Sequence, residues 1–269
     1  MGRMALRLAY DGTNYHGFQY QPPDRGATVQ GEIECVWHKL FHENIRLIPA
    51  GRTDAGVHAA GQVVSFATAA AIPAEKLPKA INSLLPRDIR VLAAENAAAD
   101  FNARRDARWK RYDYMIDNAR IPDVFQRLYR LHEPVPLEPA NMERAAAFFQ
   151  GTHDFRAFAA AGGAAGTFVR TLYHCRVFAS DGLIRIVCVG DGFLYNMVRI
   201  IVGTLIVVGK GKMTPEAAAA VLAEGKRSAA GMTAKPMGLT LTHVEYGEAR
   251  PSSLFADLAP NRWEHGDKL

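Results

Sequence analysis

Thr28-Val29-Gln30-Gly31-Glu32-Ile33-Glu34-Cys35-Val36-Trp37-His38-Lys39-Leu40-Phe41 opens with a hydroxyl residue suited to cap a helix, and behind it Val29, Ile33, Val36, Trp37, Leu40 and Phe41 fall at helical spacing. One apolar face results, and it has to be covered. Residues 3 to 10 read as a strand before this helix. After it, 44 to 50 and 62 to 67 (QVVSFA) read as strands, Ala74 to Leu85 as a short helix, and Ile89 to Asn96 as a strand ended by a polar turn. The order is β-α-β-β-α-β, that of the ferredoxin-like split βαβ unit.

The rest of the chain repeats that order apart from one extra helix. Strands are expected at about 108 to 117, 168 to 179, 183 to 190 and 239 to 246, and helices at 139 to 149, 193 to 208 and 214 to 224. Thr214-Pro215-Glu216 is a helix start with a hydroxyl cap and proline at the first helical position. The expectation is an α+β protein of two ferredoxin-like (RRM-like) halves, residues 1–105 and 106–246, whose antiparallel sheets share a central active-site cleft. Residues 247–269, with Pro251, Pro260 and several charges, read as a tail.

The 269 residues, 49% hydrophobic and 22% charged, can bury a substantial core, which excludes disorder and a disulfide scaffold. A net charge of +5 hints at a polyanionic partner only if the charges cluster. Cys35, Cys175 and Cys188 are far apart in apolar or strand-like surroundings, suiting buried thiols in a reducing cytosol. The N-terminal residues lack an apolar export segment because Arg7 interrupts them, and Ile200 to Gly209 is about half of what spans a bilayer. A cytoplasmic protein without a membrane span is expected.

Three segments could carry chemistry. Gly51-Arg52-Thr53-Asp54-Ala55-Gly56-Val57-His58-Ala59 lies between strands, and its two glycines permit tight turns that could hold Asp54 toward a cleft. The plain alternative is a solvated turn in which Asp54 bonds neighbouring amides. Arg199 stands in the apolar helix Asn196-Met197-Val198-Arg199-Ile200-Ile201-Val202-Gly203, where a buried guanidinium needs a carboxylate. Asp54 is one candidate partner, Asp191 another, and Arg199 could also reach solvent. The third segment, Phe101 to Tyr114, carries five basic residues between 104 and 111 with aromatics interleaved. Alternation along a strand groups Arg108, Lys110 and Tyr112 on one face, able to meet phosphates and stack a base, or else to guard a sheet edge.

Other candidates are weaker. Gly190-Asp191-Gly192 lacks the third glycine of a dinucleotide loop, since Tyr195 takes its place. His38 and His42 lie four apart on the first helix without a third metal ligand and are expected to flank the core. His58 and His153 sit in loops, able to touch substrate or to orient backbone.

Taken together, GRTDAGVHA, Tyr10-Asp11-Gly12-Thr13-Asn14-Tyr15, Thr28-Val29-Gln30-Gly31, the Arg104 to Tyr112 segment, Gly151-Thr152-His153-Asp154-Phe155, Val169-Arg170-Thr171, Gly192-Phe193-Leu194-Tyr195-Asn196-Met197-Val198-Arg199 and Thr233-Ala234 to Gly238-Leu239 resemble the tRNA pseudouridine synthase A family. The resemblance covers most of residues 5 to 246. It implies a homodimeric enzyme that isomerises uridine to pseudouridine in the tRNA anticodon arm, just 3′ of the anticodon, with no metal or cofactor. Asp54 would be the catalytic nucleophile. Arg52 would displace the target base, Tyr112 pack against it, Arg199 pair with the aspartate, and Leu239 line the substrate site. Arg104, Arg108, Lys110 and Arg111 would follow the tRNA backbone. The sequence departs from the family pattern at Phe18, where tryptophan is common, at Asn102, and at Lys235-Pro236-Met237. The rivals from other classes are a non-catalytic RNA-binding protein and a small-molecule hydrolase built on Asp54.

Overall fold

The structure, a computed structural model, describes residues 2–163 and 166–247; the expected tail falls almost wholly outside them. The chain forms two compact units, one of residues 2–108 with 240–247 and one of residues 109–239. Both mix helices with sheet, so the protein is of the α+β class.

In the first unit, β1 (Gly2–Tyr10), α1 (Val29–Phe41), β2 (Ile48–Pro49), β3 (His58–Thr68), α2 (Leu77–Asn82) and β4 (Ile89–Ala97) follow in the expected order. β1 lies between β3 and β4 and is antiparallel to both, while β2 pairs antiparallel with the far edge of β3 at Val64 and Ser65. The Thr28 hydroxyl accepts the Gly31 N–H at 3.2 Å and caps α1, which buries Val29, Ile33, Val36 and Trp37. Cys35 and His38 point away from that face and are exposed, as is His42, so these three do not join the core. The strand expected over 44–50 shrinks to two residues for a local reason. Glu34 accepts the Leu47 N–H at 2.9 Å and Gln30 donates to the Leu47 carbonyl at 3.3 Å, so α1 side chains take backbone bonds that a strand would have used.

The second unit contains β5 (Trp109–Asp117), β6 (Leu131–His132), α3 (Pro139–Phe148), β7 (Gly151–Asp154), β8 (Val169–Ser180), β9 (Leu183–Gly190), α4 (Met197–Gly209) and α5 (Pro215–Glu224). Its sheet order is β5-β9-β8-β7, antiparallel at each pairing. β8 and β9 join through Asp181-Gly182, whose φ angles of 50° and 77° suit a two-residue hairpin turn. α4 starts at Met197 instead of 193 because Asn196, at φ 60°, takes the left-handed conformation. Thr214 caps α5 by accepting the Ala217 N–H at 3.1 Å, and α5 ends at left-handed Gly225.

The last strand, Leu239–Glu245, was placed by sequence order in the second half, but from Thr240 onward it groups with the first unit. Thr240 and Leu241 pair parallel with His58 and Ala59 of β3. Gly61 permits the approach, since a Cβ there would lie 2.4 Å from the Thr242 carbonyl oxygen. The Tyr246 hydroxyl then donates to the Ala103 carbonyl at 2.7 Å.

Candidate active site

The Asp54 loop runs from the turn after β2 into β3 and is bound to the unit's interior on several sides. The Gln62 amide donates to the Gly51 carbonyl at 2.7 Å. Thr53, 6% exposed, has its hydroxyl 2.8 Å from that of Tyr10, and its carbonyl accepts the Phe18 N–H at 3.0 Å. Burial pushes the Tyr10 phenol up to about 12, against smaller opposing effects of its hydrogen bonds with Thr53 and Gln62. Asp54 itself begins a tight turn: Val57 N–H donates to the Asp54 carbonyl at 3.1 Å, with Gly56 at φ 75° supplying the left-handed corner. The Gly56 N–H reaches the Tyr15 carbonyl at 3.3 Å.

Two glycines of the loop after β1 let that backbone lie directly against the Asp54 loop. A Cβ on Gly12 would stand 2.0 Å from the Val57 carbonyl oxygen, and one on Gly17 2.8 Å from that of Thr53. The loop is thus held by main chain, and Asp54 stands half-buried while Arg52 is exposed.

In the second unit Tyr112 lies on β5, opposite Cys188 of β9, and is 7% exposed. Phe193 meets its ring edge to face, with centroids 5.0 Å apart and planes at 82°. Arg199 projects from α4 and donates from Nε to the Ala234 carbonyl and from Nη1 to the Asn196 Oδ1, both at 2.7 Å. The Ala234 N–H returns a bond to the Arg199 carbonyl at 3.0 Å, so the guanidinium ties α4 to the segment before the last strand. Asp191, the alternative partner, is engaged elsewhere, accepting the Thr171 N–H at 3.1 Å. Close by, the Tyr114 hydroxyl donates to the Lys235 carbonyl at 2.7 Å. Burial drives the Tyr114 pKa well up, and the charge of Arg199 acts in the opposite sense. Leu239 is 5% exposed.

The basic run does not form the open face that alternation suggested. Lys110 and Tyr112 do share a side, but it is the inward one, where Lys110 is 9% exposed. Arg111 and Asp113 share the opposite side and form a bidentate ion pair at 2.7 and 3.1 Å. Arg105 likewise pairs with Asp106 at 2.7 Å, which together with the Asn102 N–H holds that carboxyl below its usual range. Arg104 and Arg108 are exposed.

Of the remaining candidates, His153 bonds the Gln150 carbonyl at 2.8 Å and packs beside Phe155. His58, the first residue of β3, is 4% exposed. No group of three or more metal-ligating side chains occurs among the described residues. Cys175 and Cys188 are buried as expected and face each other across β8 and β9 with sulfurs 3.9 Å apart. Tyr10, Gln62 and Phe193 were not singled out from sequence. The signal for the first two was position alone, Tyr10 at the end of β1 and Gln62 as a polar residue at an inward place in β3.

The family model described as tRNA pseudouridine synthase matches residues 8–105 and 145–247, and the chain belongs to that family. More particularly, it is 50% identical over 243 residues to the tRNA pseudouridine synthase A of Moorella thermoacetica, covering 90% of this chain and 99% of the relative. It is 45% identical over 248 residues to the enzyme of the same name from Syntrophomonas wolfei, covering 92% and 99%. The one from Brevibacillus brevis is 45% identical over 246 residues, covering 91% and 100%.

Proposed function

We propose that this protein isomerises uridine to pseudouridine in the anticodon arm of tRNA, just 3′ of the anticodon, with Asp54 as the catalytic residue. Uridine isomerisation in tRNA follows from membership of the family and from relatives that match almost end to end. The observation that carries the choice of Asp54 is its loop, whose backbone is gripped on both sides so that a half-buried carboxylate is held in one place.

The reaction breaks the bond from C1′ to N1, turns the uracil, and joins C5 to C1′; C5 gives up its proton and N1 ends with one. Nothing is oxidised and no group is lost, so a single carboxylate suffices. It can add to the sugar, add to the ring, or take the 2′ proton to give a glycal, and each route starts from an ionised Asp54. A detached base must be kept from water, unlike in glycosidases, which use a carboxylate pair and admit it. Extracting the nucleoside from its stem costs a few kcal/mol, which stacking on a ring such as Tyr112 offsets. Arg52 is assigned to displacing the base, and Arg199 and Leu239 to binding it. Arg104 and Arg108 are the basic residues of the run best exposed to meet phosphates, ahead of Lys110 and Arg111.

Each unit is read as ferredoxin-like, a reading supported in the first by the sheet order β4-β1-β3-β2. The working assembly is a homodimer in the cytoplasm, in keeping with the resemblance. No helix among the described residues is long and apolar enough to cross a membrane.

The test is release of tritium from tRNA carrying 5-tritiated uridine, since C5 loses its hydrogen only if the new bond forms. Release matched by pseudouridine in the product is expected. Tight tRNA binding without release would leave a binding protein, and activity on small glycosides instead would leave a hydrolase.

A further inference from the structure

His58 ends the Asp54 loop, and its Nδ1 faces two groups of the loop that follows β1. The Gly12 N–H points at it from 3.0 Å, and Asp11 Oδ1 lies 3.1 Å away. An N–H aimed at a ring nitrogen needs a lone pair there, so Nδ1 is the acceptor of this bond. The Asp11 Oδ1 is itself held by Thr13, which donates to it from its backbone at 3.0 Å and its hydroxyl at 2.5 Å.

We infer that His58 is the positioning residue of the Asp54 loop, acting as a hydrogen-bond acceptor that locks the Gly12 turn against Val57 and so fixes where the Asp54 carboxylate stands. The inference rests on reading Asp54 as the catalytic residue. The mechanical chain is short. The Asp11 N–H bonds the Asp88 carbonyl at 2.9 Å and the Tyr15 hydroxyl the Asp88 carboxylate at 2.6 Å, which anchors the Gly12 turn to the start of β4. The His58 bond passes that anchorage to the neighbouring Val57, and the turn closed by Val57 N–H on the Asp54 carbonyl passes it to Asp54. Gly12 is required at this contact because any side chain would meet the Val57 carbonyl. Losing the bond would also leave a buried backbone N–H without its acceptor.

The amide oxygen of asparagine can stand where Nδ1 stands, that of glutamine reaches the place of Nε2, and leucine has no acceptor. His58→Asn, His58→Gln and His58→Leu are therefore compared with wild type in single-turnover tritium release, tRNA binding on filters, and thermal melting. A small misplacement of a reacting group is costly, so His58→Leu and His58→Gln should be slower by about 100-fold with tRNA affinity changed less than about threefold, while His58→Asn keeps its rate within about threefold. Leucine as fast as wild type, or asparagine as slow as leucine, overturns the inference. Should His58→Leu fail to fold, asparagine against glutamine decides, equal rates overturning it. Asp54→Asn is run beside them: if it still releases tritium the catalytic reading fails, whatever the His58 variants do.

Discussion

At the scale of single residues, Tyr10 shows how the interior serves the loop beside it. Its phenol is 4% exposed and bonded to Thr53, and burial pushes its pKa from 10.0 to about 12. The folded state thus holds this proton more tightly than the unfolded chain. The stability this gives is complete below pH 10.0 and is lost as pH rises toward about 12, roughly 2 to 3 kcal/mol in all. Urea unfolding from pH 7 upward should show Tyr10→Phe less stable by about 1 kcal/mol at neutral pH, for the lost hydrogen bond, but with a shallower alkaline decline. An identical decline in both proteins would mean that Tyr10 does not carry it. The loop residues were legible in the sequence because two glycines and a charged pair stand out between strands. Tyr10 and Gln62 were not, since a tyrosine or glutamine in a strand looks the same whether it supports a loop or covers a surface.

At the scale of elements, α4 was legible as an apolar run, but its closest contact was not. A Cβ on Gly203 would stand 1.7 Å from the Met232 carbonyl oxygen, and Thr204 accepts the Gly231 N–H at 2.9 Å, so helix and connecting segment touch backbone to backbone. Gly203→Ala should therefore cost more than about 3 kcal/mol in chemical unfolding, in spite of alanine's better helix propensity. Gly166→Ala, where a Cβ meets none of the described residues within 4 Å, should stay within about 0.5 kcal/mol. Equal effects would show that the segment yields easily. Strand alternation gave the correct grouping of Lys110 with Tyr112. Which group faces inward depends on where the helices settle, and period two carries no information about that. The two-residue β2 was over-read because the side chains that take its backbone bonds belong to α1.

For the whole molecule, two α+β units and most of their elements could be read from periodicity, turns and caps, which are local. The grouping of the last strand with the first unit could not, because its partner β3 is far away in sequence and no local pattern marks the pairing. The same limit applies to Arg199. Its burial called for a partner, and within its own unit the guanidinium turned out to bond a carbonyl and an amide oxygen, which no spacing rule specifies. The function proposed for the protein divides along these lines, with positive surface supplying RNA affinity and one loop carboxylate supplying chemistry. The direct test is Asp54→Asn, an isosteric change, measured for both single-turnover tritium release and tRNA dissociation constant. We expect release to fall below detection while the dissociation constant stays within about threefold. Retained release, or turnover and affinity lost in equal measure, would contradict the assignment of the chemistry to Asp54.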